Sequence, residues 1–427
     1  MMPETAAAHK QGDSRMRKMS GASLGFWAGA AIASPALAGR LQRLVTMETA
    51  WAFDIFEFDR LCNELPDPGT GRPAAILCFF LLEQHGIFQS LDIDRGKMLA
   101  WLKGVDMGYD RNNAYHNNLH AADVCANVDF FIRQPNFARL LTPIDILSVL
   151  IAAVMHDMGH PGLNNTFLES AKHDLAITYN DVSVLENHHV ASAFKLLKNK
   201  EMDWTSALSL DDYKDMRETV IQAVLGTDMR AHFEYLTKFK SKQAGEGFAQ
   251  QHIERKDMRL LLTMALHAAD IANPAKREIM ATTWAKRSMI EFFSQGDREA
   301  ELGLPISPFM DRTKAPLSAT IVNCQIGFIN VLVRPLLAEW TGFLGDAAER
   351  DVILTLDATL RLWETQGAKV IESWGNFAES GKADASAAVA GTAGKSAGAK
   401  QPPAGKKVDA PAGGTGATAG SRVVQRT

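Results

Sequence analysis

Residues 142–157 constrain the fold of this chain more than any other stretch. Thr142 can cap a helix, Pro143 suits the first helical position, and Asp145 stands where a capping box places an acid. Ile144, Leu147, Leu150, Ile151, Val154 and Met155 then recur at helical spacing. Gly159 and the Pro161-Gly162 pair stop the run. His156 and Asp157 therefore fall at the end of an apolar helix, where ionisable side chains need partners.

Two further segments read as helices. One spans about 256–270 and stops near Asn273-Pro274; the other spans roughly 282–293, before Gln295-Gly296. No strictly alternating apolar and polar run of useful length is found. The expectation is an all-α fold, a compact multi-helix domain.

The chain has 427 residues, 46% of them hydrophobic, enough for a large buried core. A formal net charge of −4 implies no strong field for nucleic acid. The charge is uneven: from Gly381 onward there are five Lys and two Arg against two Asp. A basic stretch rich in Ala, Gly, Lys and Pro reads as a low-complexity tail over 379–427. Residues 1–45 read as a flexible leader and 46–378 as the folded unit. Within the leader, residues 20–39 carry no charge and follow Arg15, Arg17 and Lys18. Pro35 and the Ala, Gly and Ser content argue against a membrane helix, which wants about 20 strongly apolar residues. A poorly ordered extension is expected, with membrane contact or targeting as the other reading. The four cysteines, Cys62, Cys78, Cys125 and Cys324, show no metal or disulfide spacing and read as free thiols of a cytoplasmic protein.

His, Asp and Glu concentrate in four short stretches: YHNNLHAADV (115–124), HDMGHPG (156–162), LENHH (185–189) and HAADIANP (267–274). His116 and His120 are four apart, so a helix would put both on one face. His120, His156, Asp157 and Asp270, gathered from three helices, make a mixed nitrogen and oxygen donor set. That set suits a borderline metal such as zinc with positions open for water. A carboxylate could also bridge to a second, harder ion that holds mainly waters, as magnesium or manganese prefers. Spare His and Glu side chains would order those waters.

In order and spelling these stretches resemble the catalytic domain of class I cyclic-nucleotide phosphodiesterases, members of the HD superfamily. The resemblance runs over roughly 53–374. It adds FDIF (53–56), the continuation LNNTF (163–167), GTDM (226–229), EFFSQGD (291–297) and QIGFI (325–329). It implies hydrolysis of cAMP, cGMP or both to the 5′-monophosphate, ending a cyclic-nucleotide signal. His120, His156, Asp157 and Asp270 match the ligands of a first ion, zinc in this family. Asp157 would bridge to magnesium or manganese. His116 matches the histidine that protonates the leaving O3′, and Glu291 the acid that orients it. His160, Glu186 and Thr227 match the shell around the second ion's waters. Gln325 matches the glutamine that hydrogen-bonds the purine, Phe328 the ring that stacks on it, and Asn273 the asparagine near the base. Tyr115, which opens the first motif, joins the substrate-binding group.

Ala281 and Ser288 depart from the family pattern, standing where many members carry a tyrosine or a larger aliphatic residue. Small residues there leave base selectivity open and are expected to open a side pocket. The segment 311–325 is longer than in some members, which would reshape the pocket rim. No regulatory domain is expected in the leader, and a homodimer is left open. Two other readings stand beside the active enzyme. An HD-type phosphohydrolase for other nucleotides would explain HDMGHPG but not YHNNLHAADV or QIGFI. A catalytically inactive cyclic-nucleotide-binding scaffold would separate from the enzyme by the activity of the purified chain.

Overall fold

The structure, a computed structural model of the chain, describes residues 39–41, 51–64, 72–245, 248 and 253–377. The chain divides into two units, Met1–Ala385 and Ser386–Thr427, and the second lies outside the described residues, as does the whole expected tail, 379–427. The uncharged stretch 20–38 also lies outside them. Of the leader, residues 39–41 are described. They are helical, and Leu41 is buried.

Among the described residues there is no strand. Counting helices of nine residues or more, the order is α1 Ile55–Asn63, α2 Pro73–Gln84, α3 Arg95–Met107, α4 Asn118–Ile132, α5 Pro143–Met155, α6 Val184–Leu196, α7 Leu210–Leu225, α8 His232–Ala244, α9 Arg255–Asp270, α10 Glu278–Glu301, α11 Leu317–Phe328, α12 Arg334–Leu344 and α13 Asp346–Ser373. The all-α expectation therefore holds.

Helix α5 is the centre of the core. Apart from the first two positions and Ile146, all its residues are buried, as expected of a helix that is apolar all round. Its capping box forms: Asp145 N–H donates to the Thr142 hydroxyl at 3.4 Å, and Thr142 N–H donates to the Asp145 carboxylate at 2.9 Å. Arg255 of α9 pairs with the same Asp145 and, at 2.6 Å, with Asp215 of α7. One charged cluster thus ties the start of α5 to two neighbours. Helix α4, buried everywhere but at Ala126, packs on α2, α5 and α9. The shared packing of α4, α5 and α9 brings His120, His156 and Asp270 to one level of the molecule.

Three boundaries differ from the sequence expectation, the first being the start of α10, at Glu278 and not near 282. Helix α10 does not stop before Gln295-Gly296 but continues to Glu301. Gly296 is there for a neighbour, not a turn: a Cβ would collide with the Met310 carbonyl oxygen. His116 lies before α4, because Asn117 is the helix cap, its side chain accepting from Leu119 and His120 N–H at 2.9 and 3.3 Å. The helical-face argument for His116 and His120 therefore fails, although their rings are still 5.9 Å apart.

Beyond α11 the chain makes a π-helical turn, Ile329–Val333, directly after Phe328. The run Leu317–Leu344 is long and apolar enough to cross a membrane by length and composition. Here it packs on α13 and presents Gln325 and Phe328 to the cavity described next.

Candidate active site

The end of α5 sets the first group of side chains. The His156 Nδ1–H donates to Ala153 O at 2.8 Å, which turns Nε2 toward the carboxylates. That Nε2 lies 3.2 Å from both Asp157 Oδ2 and Asp270 Oδ1. His120 Nε2 reaches the same carboxylates, at 2.9 Å from Asp270 and 3.6 Å from Asp157. One ligand atom from each of these four residues lies within 4.8 Å of all the others. The group holds two imidazoles and two carboxylates, and no lysine or arginine, so it fits a divalent cation. Burial works against the charge of Asp157, but His156 and the other surrounding histidines hold its carboxyl well below the usual range.

The loop after α5 needs glycine twice. Gly159 has φ +80 and Gly162 φ +73, the left-handed region, and a Cβ at either would press on His188 or Asn113. These turns bring His160 back over His116, their rings stacked 4.0 Å apart. His160 Nδ1 accepts from Gly162 N–H at 3.0 Å. Burial, aided by His116, pushes His160 well below the usual imidazole range, so it is neutral.

His116 has the opposite character. Its Nδ1 pairs with Glu291 Oε1 of α10, while Glu291 Oε2 accepts from Tyr115 N–H at 2.9 Å and His116 N–H at 3.1 Å. One carboxylate thus fixes both the ring and the backbone beneath it. Burial pushes His116 down, but the Glu291 charge and hydrogen bond outweigh it and raise the ring to about 9. Glu291, also opposed by burial, is held down at about 2 by His116.

All of this opens into a cavity of about 440 Å³. His116, Asp157, His160, Glu186, Thr227 and Asp270 line it. Glu186 accepts from Asn165 Nδ2 at 3.0 and 3.2 Å, and burial followed by Asp228 raises it to about 7. Tyr115, Asn273, Ala281, Ser288, Gln325 and Phe328 line it as well. Every candidate residue except His120 and His156 lines the cavity; those two stand behind Asp157 and Asp270, fully buried. The Tyr115 hydroxyl donates to Asn273 Oδ1. The Ser288 hydroxyl is turned inward, donating to Ala285 O at 2.9 Å. Gln325 makes no side-chain hydrogen bond within the described residues.

The model of the 3′,5′-cyclic nucleotide phosphodiesterase family matches residues 115–352. The chain belongs to this family. The phosphodiesterase relatives include the mouse dual specificity calcium/calmodulin-dependent 3′,5′-cyclic nucleotide phosphodiesterase 1B, 37% identical over 303 residues, which cover 71% of this chain and 52% of that one. A probable 3′,5′-cyclic-AMP phosphodiesterase, pde-4 of Caenorhabditis elegans, is 35% identical over 68% of this chain and 42% of its own length. The chain thus spans about half the length of the curated relatives it matches. Among solved structures, the phosphodiesterase domain of the RhoPDE fusion protein of the choanoflagellate Salpingoeca rosetta superposes with a TM-score of 0.66 at 29% identity, covering 78% of this chain and 99% of that domain.

Several residues of this phosphodiesterase site escaped the sequence reading. Asn113 Nδ2 donates to His116 O at 3.0 Å and His160 O at 2.8 Å, joining the two histidine loops. His189 donates from Nδ1 to Met158 O at 2.8 Å and turns Nε2 toward Asp157 Oδ1, 3.7 Å away. The Tyr109 hydroxyl donates to Val154 O at 2.9 Å and accepts from Asp157 N–H at 3.3 Å. His189 and Asp228 stood inside quoted motifs without a role. Asn113 and Tyr109 carried no signal, since each depends on a partner 45 or more residues away.

Proposed function

We propose that the chain hydrolyses 3′,5′-cyclic nucleotides to nucleoside 5′-monophosphates. The observation that carries this reading is the His116–Glu291 pair, opening onto the same cavity as Asp157 and Asp270. His120, His156, Asp157 and Asp270 would hold the first ion, zinc, and Asp157 would be shared with magnesium or manganese. Such ions neutralise phosphate charge and lower the pKa of water to near neutral. His160, Glu186 and Thr227 would order the waters around the second ion.

The chain's own part is acid catalysis and binding. A cyclic phosphodiester has a poor leaving group, so O3′ needs a proton as its bond to phosphorus breaks. His116 retains that proton at neutral pH because Glu291 is beside it. With Nδ1 engaged by Glu291, Nε2 is the atom left to donate. Phe328 offers a flat π-face to a purine and Gln325 an amide that can donate and accept. Because Gln325 has no side-chain partner among the described residues and Ala281 and Ser288 are small, both cAMP and cGMP are proposed as substrates. A cytoplasmic location is part of the same proposal, supported by the free buried thiols of Cys62, Cys78 and Cys125.

The test is turnover of cAMP and cGMP by purified protein, with added magnesium and after chelation. Metal-dependent turnover of either is expected. A folded, metal-loaded protein that turns over neither would overturn the reading.

A further inference from the structure

Asn273 sits in a short turn, Asn273–Ala275, between α9 and α10, and both ends of its amide are held. Its Oδ1 accepts from the Tyr115 hydroxyl, and its Nδ2 donates to Asp123 Oδ2 at 3.0 Å. This leaves one N–H and one lone pair of defined direction for a ligand in the cavity. The turn itself is gripped from a distant part of the chain. Trp51 Nε1–H donates to Ala275 O at 2.5 Å. Lys276 is 1% exposed and donates from Nζ to Trp51 O at 3.3 Å, its ammonium 4.0 Å above the Trp51 ring. Trp51 is in turn wedged against Phe130 and Phe131 of α4, with ring centroids 5.1 and 5.6 Å away. Next to it Asp54 pairs with Arg277 at 2.7 Å.

Lys276 also acts on the acceptor. Asp123 is fully buried, and although burial pushes its carboxyl up, Lys276 is the strongest charge pulling it back. A carboxylate at Asp123 accepts from Asn273, whereas a protonated one could present a donor to the same amide. No catalytic role described above uses Lys276 or Trp51.

We propose that Trp51 and Lys276 are positioning residues for Asn273, holding its turn and its Asp123 partner so that the amide faces the base in one orientation. The proposal rests on the cyclic-nucleotide reading of the cavity. It couples the chain segment around Trp51 to the affinity for substrate, not to the chemical step.

A mutant cycle on the full chain tests it, with cAMP and cGMP as probes and melting followed in parallel. Lys276→Met is expected to raise KM about five- to tenfold, the loss of roughly one well-oriented hydrogen bond, with kcat nearly unchanged. Asn273→Ala should raise KM as well, and adding Lys276→Met to it should change nothing further. Trp51→Phe keeps an aromatic ring but deletes the Ala275 bond, so the same cycle with that variant serves if Lys276→Met does not fold. Effects that multiply in the double variants would overturn positioning through Asn273, as would a fall in kcat at constant KM or no change at all. Absence of turnover by the wild type would instead overturn the function on which the proposal rests.

Discussion

A carboxylate beside an imidazole decides what that imidazole can do near neutral pH. With Glu291 present, His116 is raised to about 9, so its proton is available at pH 7 and is lost as pH rises through about 9. The alkaline limb of kcat/KM should therefore fall near that value. The pair's contribution to stability is complete between about 4.5 and 6.5; it is lost as pH rises through about 9, where His116 deprotonates, and as pH falls toward about 2, where Glu291 protonates. Glu291→Ala should pull the limb down toward the ordinary imidazole range and cost on the order of 10²-fold in activity at pH 7.5. An unshifted pH profile in that variant would contradict the role. Gln325 acts differently, because it would touch the base and not the phosphate. Gln325→Ala should raise KM by about tenfold or more and leave kcat nearly intact. A collapsed kcat at constant KM would contradict it.

At the scale of elements, α5 acts as a rod with a cap at one end and the metal group at the other. Thr142→Ala removes the reciprocal cap and should lower unfolding free energy by about 1 kcal/mol. Denaturant unfolding measures that loss, and kcat/KM should not change, because Arg255 still holds Asp145. Helix α10 is a second rod, carrying Ala281, Ser288 and Glu291 along one side and Glu299 in its last turn. Glu299 is 2% exposed and accepts from Ser307 N–H and its hydroxyl, both at 2.6 Å, and from Gln295 Nε2 at 2.8 Å. The chain around 307–310 is thus pinned flat on the helix, with Gly296 beneath Met310. Gly296→Ala should force that segment away. The expected result is a loss of about 1–3 kcal/mol in stability and a changed KM, since Met310 lines the cavity.

At the scale of the whole molecule, the metal group is a junction of α4, α5 and α9. Burying two acids there without a cation is costly, so bound metal should stabilise the fold as well as serve the chemistry. Chelation should lower the melting temperature, and readded ion at about 1,000 times its Kd should restore roughly 4 kcal/mol. Asp157→Ala should cut metal content measured on the purified protein, because it removes a side chain facing both His120 and His156. Full metal occupancy in that variant would remove Asp157 from the ligand set.

The sequence by itself determined what depends on neighbours a few residues away. The capped start of α5, the His156–Asp157 pair at its end, the stop near Asn273-Pro274 and the break at Gly159 and Gly162 all follow from caps, periodicity and backbone sterics. The spelling of the motifs carried the candidate ligands and the acid as well, though only as types and order. Packing decided the rest. Glu291 reaches His116 across 175 residues, and Lys276 reaches Trp51 across 225. No local rule links such pairs. Glycine at 296 reads as a helix stop until Met310 is seen lying against it. A turn or a cap is settled by sterics and hydrogen bonds within one or two turns of chain. A contact between distant segments exists only once burial of the helices between them has brought the two together.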